Sequence, residues 1–174
     1  SKETGTPAVG RAVAAGGPVS FDVNHRAKLA TAEVARPVLR ALAERSTIVF
    51  GGEEELTLLH PDDGVAESAA RLLHAGCAQV VVKRGERGAS TFLPDRVVDA
   101  PGIRITPLDT VGAGDAFVAG YLSGRLEDLS VEDSLQRANA CGALACLVPG
   151  DWEAAPTRRE LERFLGGAAD PVVR

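Results

Sequence analysis

The sequence predicts an α/β fold in which a mostly parallel sheet is covered by helices on both faces, a three-layer α-β-α sandwich. Three observations predict it. Segments of helical and strand-like character alternate as α-β-α-β-α-β through residue 83, with short connections. The strand segments are continuous apolar runs such as Val80-Val81-Val82, as expected of strands buried on both faces. Beyond them, two shorter segments around a tight turn read as an antiparallel edge.

Each element has a local reason. Pro7 to Gly16 reads as a helix closed by Gly16-Gly17. Pro18 to Asp22 is a short apolar run ending in polar residues, a buried strand, and Asn24-His25-Arg26 is a loop. From Thr31 to Arg45, Val34, Val38, Leu39 and Leu42 fall at helical spacing. Thr47 to Phe50 is a strand, Asp62 to Ala75 an amphipathic helix closed by Gly76, and Ala78 to Lys83 a strand. Arg84 to Gly88 is a tight turn, followed by the edge segments Ala89 to Leu93 and Arg96 to Ala100. Helices are predicted over Val111 to Leu126, Val131 to Val148 and Arg158 to Leu165.

Composition bounds the function. The 174 residues suffice for one compact domain and are too few for two ordinary ones. A hydrophobic fraction of 45% with 25% charged residues excludes disorder. The net charge of −5 argues against nucleic acid as a partner. No apolar run approaches the roughly 20 residues that span a bilayer. Cys77, Cys141 and Cys146 have no metal-type spacing and read as reduced, buried thiols of a cytoplasmic protein. His60 and His74 read as surface residues. The chain has no Met, not even at position 1, as expected of a processed chain or one begun partway through a longer protein.

The densest chemical signal is Asp109-Thr110-Val111-Gly112-Ala113-Gly114-Asp115-Ala116-Phe117. A glycine-rich turn runs straight into a helix whose first N–H groups have no intrahelical partner and whose dipole is positive at that end. Small residues at 112 to 114 admit a phosphate to those groups. Asp115 would be repelled by a bound phosphate, but is well placed to take a proton from a hydroxyl that attacks it. The plainer reading is a tight turn followed by an ordinary first-turn carboxylate. The motif is neither a dinucleotide fingerprint nor a P-loop.

This nine-residue stretch closely resembles the C-terminal signature of the ribokinase-like (PfkB) family of carbohydrate kinases. Three further segments resemble the family. Ile48-Val49-Phe50 with Glu53-Glu54-Glu55 is similar to its strand and acidic segment. Val80 to Ala89 is similar to its nucleotide-side strand and turn, and Asn139-Ala140-Cys141-Gly142-Ala143 to the small-residue helix bordering the adenine. The resemblance implies a ribokinase-like fold, an ATP-dependent kinase and a need for Mg²⁺. It also implies that residues 1–174 form the C-terminal ATP-binding and catalytic part of such a domain, with the first strands and the β-lid expected before Ser1.

The residue roles follow from the same resemblance. Asp115 would be the base, with Gly112, Ala113 and Gly114 as the anion hole. Lys83, Arg84, Gly85, Glu86, Arg87, Gly88, Ala89, Gly112, Gly114 and Asn139 would border ATP. A Lys at a strand end such as Lys83 is more often a snorkelling surface residue than a phosphate ligand. Glu55 would serve Mg²⁺, although Gly52 stands where the family usually has Asn. The acidic run also reads as a solvated helix start.

The segment Phe21-Asp22-Val23-Asn24-His25-Arg26 resembles that of 2-keto-3-deoxygluconate kinases, with His25 where Tyr is common. Asn24 and Arg26 would then face a sugar acid, since the planar guanidinium suits a carboxylate. Arg26 paired with a protein carboxylate is the plainer reading. Asp151 would meet sugar hydroxyls, or is a solvated loop residue.

Three functions stay open at this point. They are a sugar-acid kinase, a kinase for a neutral sugar or nucleoside, and a non-catalytic nucleotide-binding fragment. Homodimerisation of the full-length protein through the lid belongs to the family implication.

Overall fold

The computed structural model describes residues 2–166, and the side chains of residues 7–151 and 153–166. The helices are α1 (Lys2–Ala14), α2 (Ala32–Ala43), α3 (Glu53–Leu59), α4 (Val65–His74), α5 (Ala113–Leu126), α6 (Val131–Ala145) and α7 (Arg158–Leu165). The strands are β1 (Ser20–Asp22), β2 (Ile48–Gly52), β3 (Gln79–Lys83), β4 (Ala89–Phe92) and β5 (Val97–Ala100). They lie in one five-stranded sheet in sequential order.

The first three strands are parallel, with Asp22 opposite Phe50 and Gly52 opposite Lys83. The connections from β3 to β4 and from β4 to β5 are far too short for parallel crossovers, so these strands run antiparallel. Leu93 N–H donates to the Arg96 carbonyl across the second turn. The mostly parallel sheet expected from the alternation is therefore present.

The chain forms two compact units. The first comprises the residues up to Arg84 together with Thr91–Val97, and the second comprises Gly85–Ser90 and the residues from Val98 onwards. In the first unit, Val49, Val80 and Val82 of the sheet pack with Leu56, Leu59, Ala69, Leu72 and Ala43 of the helices, all essentially buried. Branched aliphatics and alanines supply this core, in keeping with an aromatic fraction of only 4%. α1 and α4 end in left-handed glycines, Gly16 (φ +72°) and Gly76 (φ +114°). In α4 the two closing amides, Gly76 and Cys77, donate back to Leu73 and Leu72.

In the second unit, α5 and α6 approach through small residues. A methyl group at Gly120 would stand 2.8 Å from Cys141 Sγ, and one at Gly124 would stand 2.8 Å from Ser134 Oγ. Tyr121 and Leu135 are fully buried beside this contact.

The helix-start reading of the acidic run holds, and one expectation needs correction. The acidic run at 53–55 opens a separate helix, α3, which enters directly from β2 without a loop. Its two turns are too short for a helical period to stand out. His60 is not a surface residue. It is 9% exposed, because Ser68 of α4 gives its ring a partner. Ser68 Oγ donates to the Leu56 carbonyl at 2.8 Å, so it accepts from His60 Nδ1–H, also 2.8 Å. His74 is exposed as expected. Cys77 and Cys141 are buried and Cys146 is half-buried, all three as free thiols. Burial pushes the Cys77 and Cys141 thiols up to about 11. No helix among the described residues is long and apolar enough to cross a membrane.

Burial, with the Arg40 charge second, holds His60 below the ordinary imidazole range. The unfolded chain therefore binds this proton more readily than the folded one. Stability should be fully present above about pH 6.5, the ordinary histidine value, and fall as the pH drops below it. Urea denaturation midpoints between pH 8 and 5 should show that decline, and His60→Gln should flatten it.

Candidate functional site

In the second unit, the glycine turn before α5 is held by Asp109. Its Oδ1 accepts the Val111 N–H at 3.0 Å and its Oδ2 the Gly150 N–H at 3.4 Å. These amides, Val111 foremost, keep its carboxyl below the usual carboxylate range. The Leu108 N–H donates to the Cys146 carbonyl at the end of α6, at 2.8 Å. Gly112 then takes a left-handed conformation (φ +74°, ψ −10°). A Cβ there would also lie 2.7 Å from Asp151 Oδ1 and 3.0 Å from the Asp151 carbonyl oxygen. Only glycine meets both demands.

Among the described residues, no side chain caps the N-terminus of α5, which is 14 residues long. Asp115 lies in its first turn and is exposed, as is Gly114, while Ala113 is half-buried. No hydrogen bond or ion pair within the described residues restrains the Asp115 carboxylate. The fold thus brings Gly112, Ala113, Gly114 and Asp115 to one helix end and lays Asp151 against it. The arrangement suits an anion at the helix terminus with a carboxylate beside it that is free to accept a proton.

The segment expected along ATP is also well ordered by packing. Gly85–Arg87 forms a short 3-10 turn, with Gly85, Glu86 and Arg87 exposed and Gly88 and Ala89 buried. Gly88 has φ +91°, and a Cβ there would lie 2.1 Å from the Ala100 carbonyl oxygen. A Cβ on Gly102 would meet the Glu86 carbonyl oxygen at 2.1 Å. The backbones of 86–88 and 100–102 thus touch, and two glycines make that possible. Asn139 of α6 ties the same corner. Its Nδ2 donates to the carbonyls of Ala100 (3.3 Å) and Pro101 (3.1 Å). Its amide nitrogen is thereby committed to the backbone.

In the first unit, parallel pairing sets the carboxyl ends of β1, β2 and β3 along one edge, where α/β sheets place ligands. A residue that sequence reasoning passed over sits here. Asp22, at the end of β1, receives Lys83 Nζ through both oxygens, at 2.9 and 2.7 Å. The two side chains are only 16% and 20% exposed. The sequence signal was a carboxylate closing an apolar strand, but its partner is 61 residues away. Arg84, directly after β3, is half-buried.

Arg26 is exposed in the loop after β1, so the reading in which a protein carboxylate holds it has no support among the described residues. Asn24 is exposed with φ +38°, a conformation that Asn tolerates better than most residues. Glu55 is half-buried, and both its oxygens accept backbone N–H groups: Oε1 from His25 and Oε2 from Gly52, each at 2.7 Å. That donor set does not fit an inner-sphere ligand of Mg²⁺, which prefers carboxylates free to take it alongside water. No group of three or more His, Cys, Asp or Glu that could hold a metal occurs among the described residues.

The Asp22–Lys83 pair gives a direct test. Lys83→Met leaves a largely buried carboxylate without its cation, and should destabilise the chain by about 1–3 kcal/mol. Pairing it with Asp22→Asn should restore most of that loss in urea denaturation. A lysine that served only nucleotide would leave stability unchanged.

Comparison with known proteins adds an independent line. The family model of pfkB family carbohydrate kinases matches residues 2–158. A fructokinase of Vibrio alginolyticus is 36% identical over 174 residues, covering 95% of this chain and 56% of its own length. A 2-dehydro-3-deoxygluconokinase of Bacillus subtilis is 37% identical over 153 residues, covering 87% of this chain and 47% of its own. A crystal structure described as a ribokinase II from E. coli in complex with ATP and Mg²⁺ superposes with a TM-score of 0.86. It is 32% identical and covers 92% of this chain and 52% of that one. The chain spans about half the length of the curated relatives it matches. Its sheet order and its glycine turn before α5 sit within that similarity, and the chain belongs to the pfkB family of carbohydrate kinases, with a ribokinase-like fold.

Proposed function

We propose that this chain is part of an ATP-dependent kinase that phosphorylates a hydroxyl group of a sugar acid, with 2-keto-3-deoxygluconate as the leading substrate. One observation carries the reading: Asp115 stands exposed in the first turn of α5, directly behind the left-handed Gly112. Its carboxylate removes the proton of the attacking hydroxyl. The hydroxyl oxygen bonds to the γ-phosphorus of ATP, the bond to the β-phosphate oxygen breaks, and ADP leaves. The N–H groups of residues 114 and 115 stabilise the charge on the phosphoryl group in transit, whereas that of Ala113 donates to the Thr110 carbonyl. Mg²⁺, when bound with the nucleotide, neutralises phosphate charge. The relative that was crystallised with ATP and Mg²⁺ supports ATP as the phosphoryl donor.

Arg26 supports the sugar acid. Its guanidinium is exposed in the loop after β1, and a planar fork of donors suits a substrate carboxylate. The Bacillus 2-dehydro-3-deoxygluconokinase is consistent with that choice. The Vibrio fructokinase, at nearly the same identity, favours a second reading: a kinase of a neutral sugar. In that case Arg26 would not meet the substrate.

Asp115→Asn should lower phosphoryl transfer by roughly 10²–10⁴-fold, the usual weight of a general base, with nucleotide affinity retained. Near-normal turnover of the variant would overturn the assignment of the base. Arg26→Ala should raise KM for 2-keto-3-deoxygluconate by about tenfold or more and leave fructose unaffected, as loss of a charge-assisted pair predicts. An unchanged sugar-acid KM would favour the neutral-sugar reading.

A further inference from the structure

We propose that Glu55 is a positioning residue. It clamps the loop after β1, and so sets how Asn24 and Arg26 are presented, instead of serving as a metal ligand. The consequence for substrate rests on the sugar-acid reading above, whereas the clamp itself does not.

The geometry is specific. Glu55 is the third residue of α3, and its Oε2 reaches back to the Gly52 N–H at 2.7 Å. That is half of a capping box. The reciprocal half needs a side chain at position 52, which glycine lacks. One oxygen suffices for the bond to Gly52, and the other, Oε1, accepts the N–H of His25, 30 residues earlier, at 2.7 Å. One carboxylate thus joins the end of β2 to the loop after β1.

The loop needs such an anchor. Val23 is pinned, with its side chain 3% exposed and its N–H donating to the Phe50 carbonyl at 2.9 Å. Immediately afterwards Asn24 turns left-handed at φ +38°, a conformation of sparse population for a residue with a Cβ. The His25 N–H follows that turn. Unpaired and half-buried it would be costly, so its bond to a charged acceptor holds the turn in place. The His25 ring closes the loop from the other side, Nε2 lying 3.0 Å from the Ala30 carbonyl oxygen, and Leu29 N–H donates to the Arg26 carbonyl at 2.8 Å. Arg26 therefore sits in a loop fixed at both ends while its own side chain stays exposed.

The clamp by Glu55 does not depend on the departure at Gly52. A methyl group at Gly52 would lie 3.6 Å from Glu55 Oε2, an ordinary contact, so the site does not require glycine for space. Glycine removes only the side chain that would accept the Glu55 backbone N–H, and both bonds of the Glu55 carboxylate stand without it.

The test uses amide NMR on the full 174-residue chain, together with kinase assays. In the wild type the His25 and Gly52 amide protons should resonate downfield, as short bonds to a carboxylate require. In Glu55→Ala both should move upfield, and hydrogen exchange at His25 should accelerate by about tenfold or more. Glu55→Gln, which keeps one acceptor oxygen, should fall between the two. Glu54→Gln, on an exposed neighbour, should change neither resonance, and unchanged spectra elsewhere would show each variant folded. Unaltered His25 exchange in Glu55→Ala would overturn the clamp. So would wild-type protein in which Mg²⁺ alone accelerates His25 exchange as much as that substitution does. Glu55→Gln should also raise KM for 2-keto-3-deoxygluconate without raising KM for ATP. If the NMR changes appear and the sugar-acid KM stays fixed, the clamp stands and the substrate reading fails.

Discussion

Parallel pairing of β1, β2 and β3 is the constraint on which the first unit depends. A parallel ladder brings like ends of strands together, so the three residues that close the apolar runs must share one edge. Asp22, Gly52 and Lys83 are those residues. Two carboxylates then do structural work at that edge. Asp22 neutralises the Lys83 ammonium, and Glu55, just inside α3, takes two backbone amides. Neither group is left to desolvation alone, which is the condition for keeping charge near a sheet edge.

The second unit is governed by close backbone approach. Gly120 and Gly124 let α5 lie against α6, Gly88 and Gly102 let two backbone segments touch, and Gly112 admits Asp151. Small residues here act through what they leave out. At Gly88 and Gly112 the left-handed backbone adds a second reason that no other residue would serve. The outcome is a helix terminus whose first-turn amides are uncapped by any described side chain and whose Asp115 is exposed, a combination that stability alone does not call for.

Much of this was legible in the sequence. The alternation of periods placed nearly every element, because helices such as α2 and α4 carry a clear apolar stripe and each inner strand its own apolar run. α3 showed only its acidic start, because seven residues entering straight from a strand carry no helical period of their own. His60 was misplaced for a different reason. A histidine in a polar stretch looks solvated until a serine from another helix supplies its partner, and that partner lies eight residues on. The glycine turn and Asp115 were visible because the helix start, the small residues and the carboxylate are contiguous.

The sequence by itself determined the α/β class, the family and the local chemistry of the α5 terminus, since these depend on neighbours within a few positions along the chain. Only the tertiary structure decided what the long-range polar groups do. Lys83 and Glu55 carry charges that suit phosphate or metal on paper. Their partners, Asp22 at 61 residues' separation and His25 at 30, exist only once the strands pair in register. A charged side chain is assigned by whichever partner desolvation forces upon it, and that partner is a property of the fold.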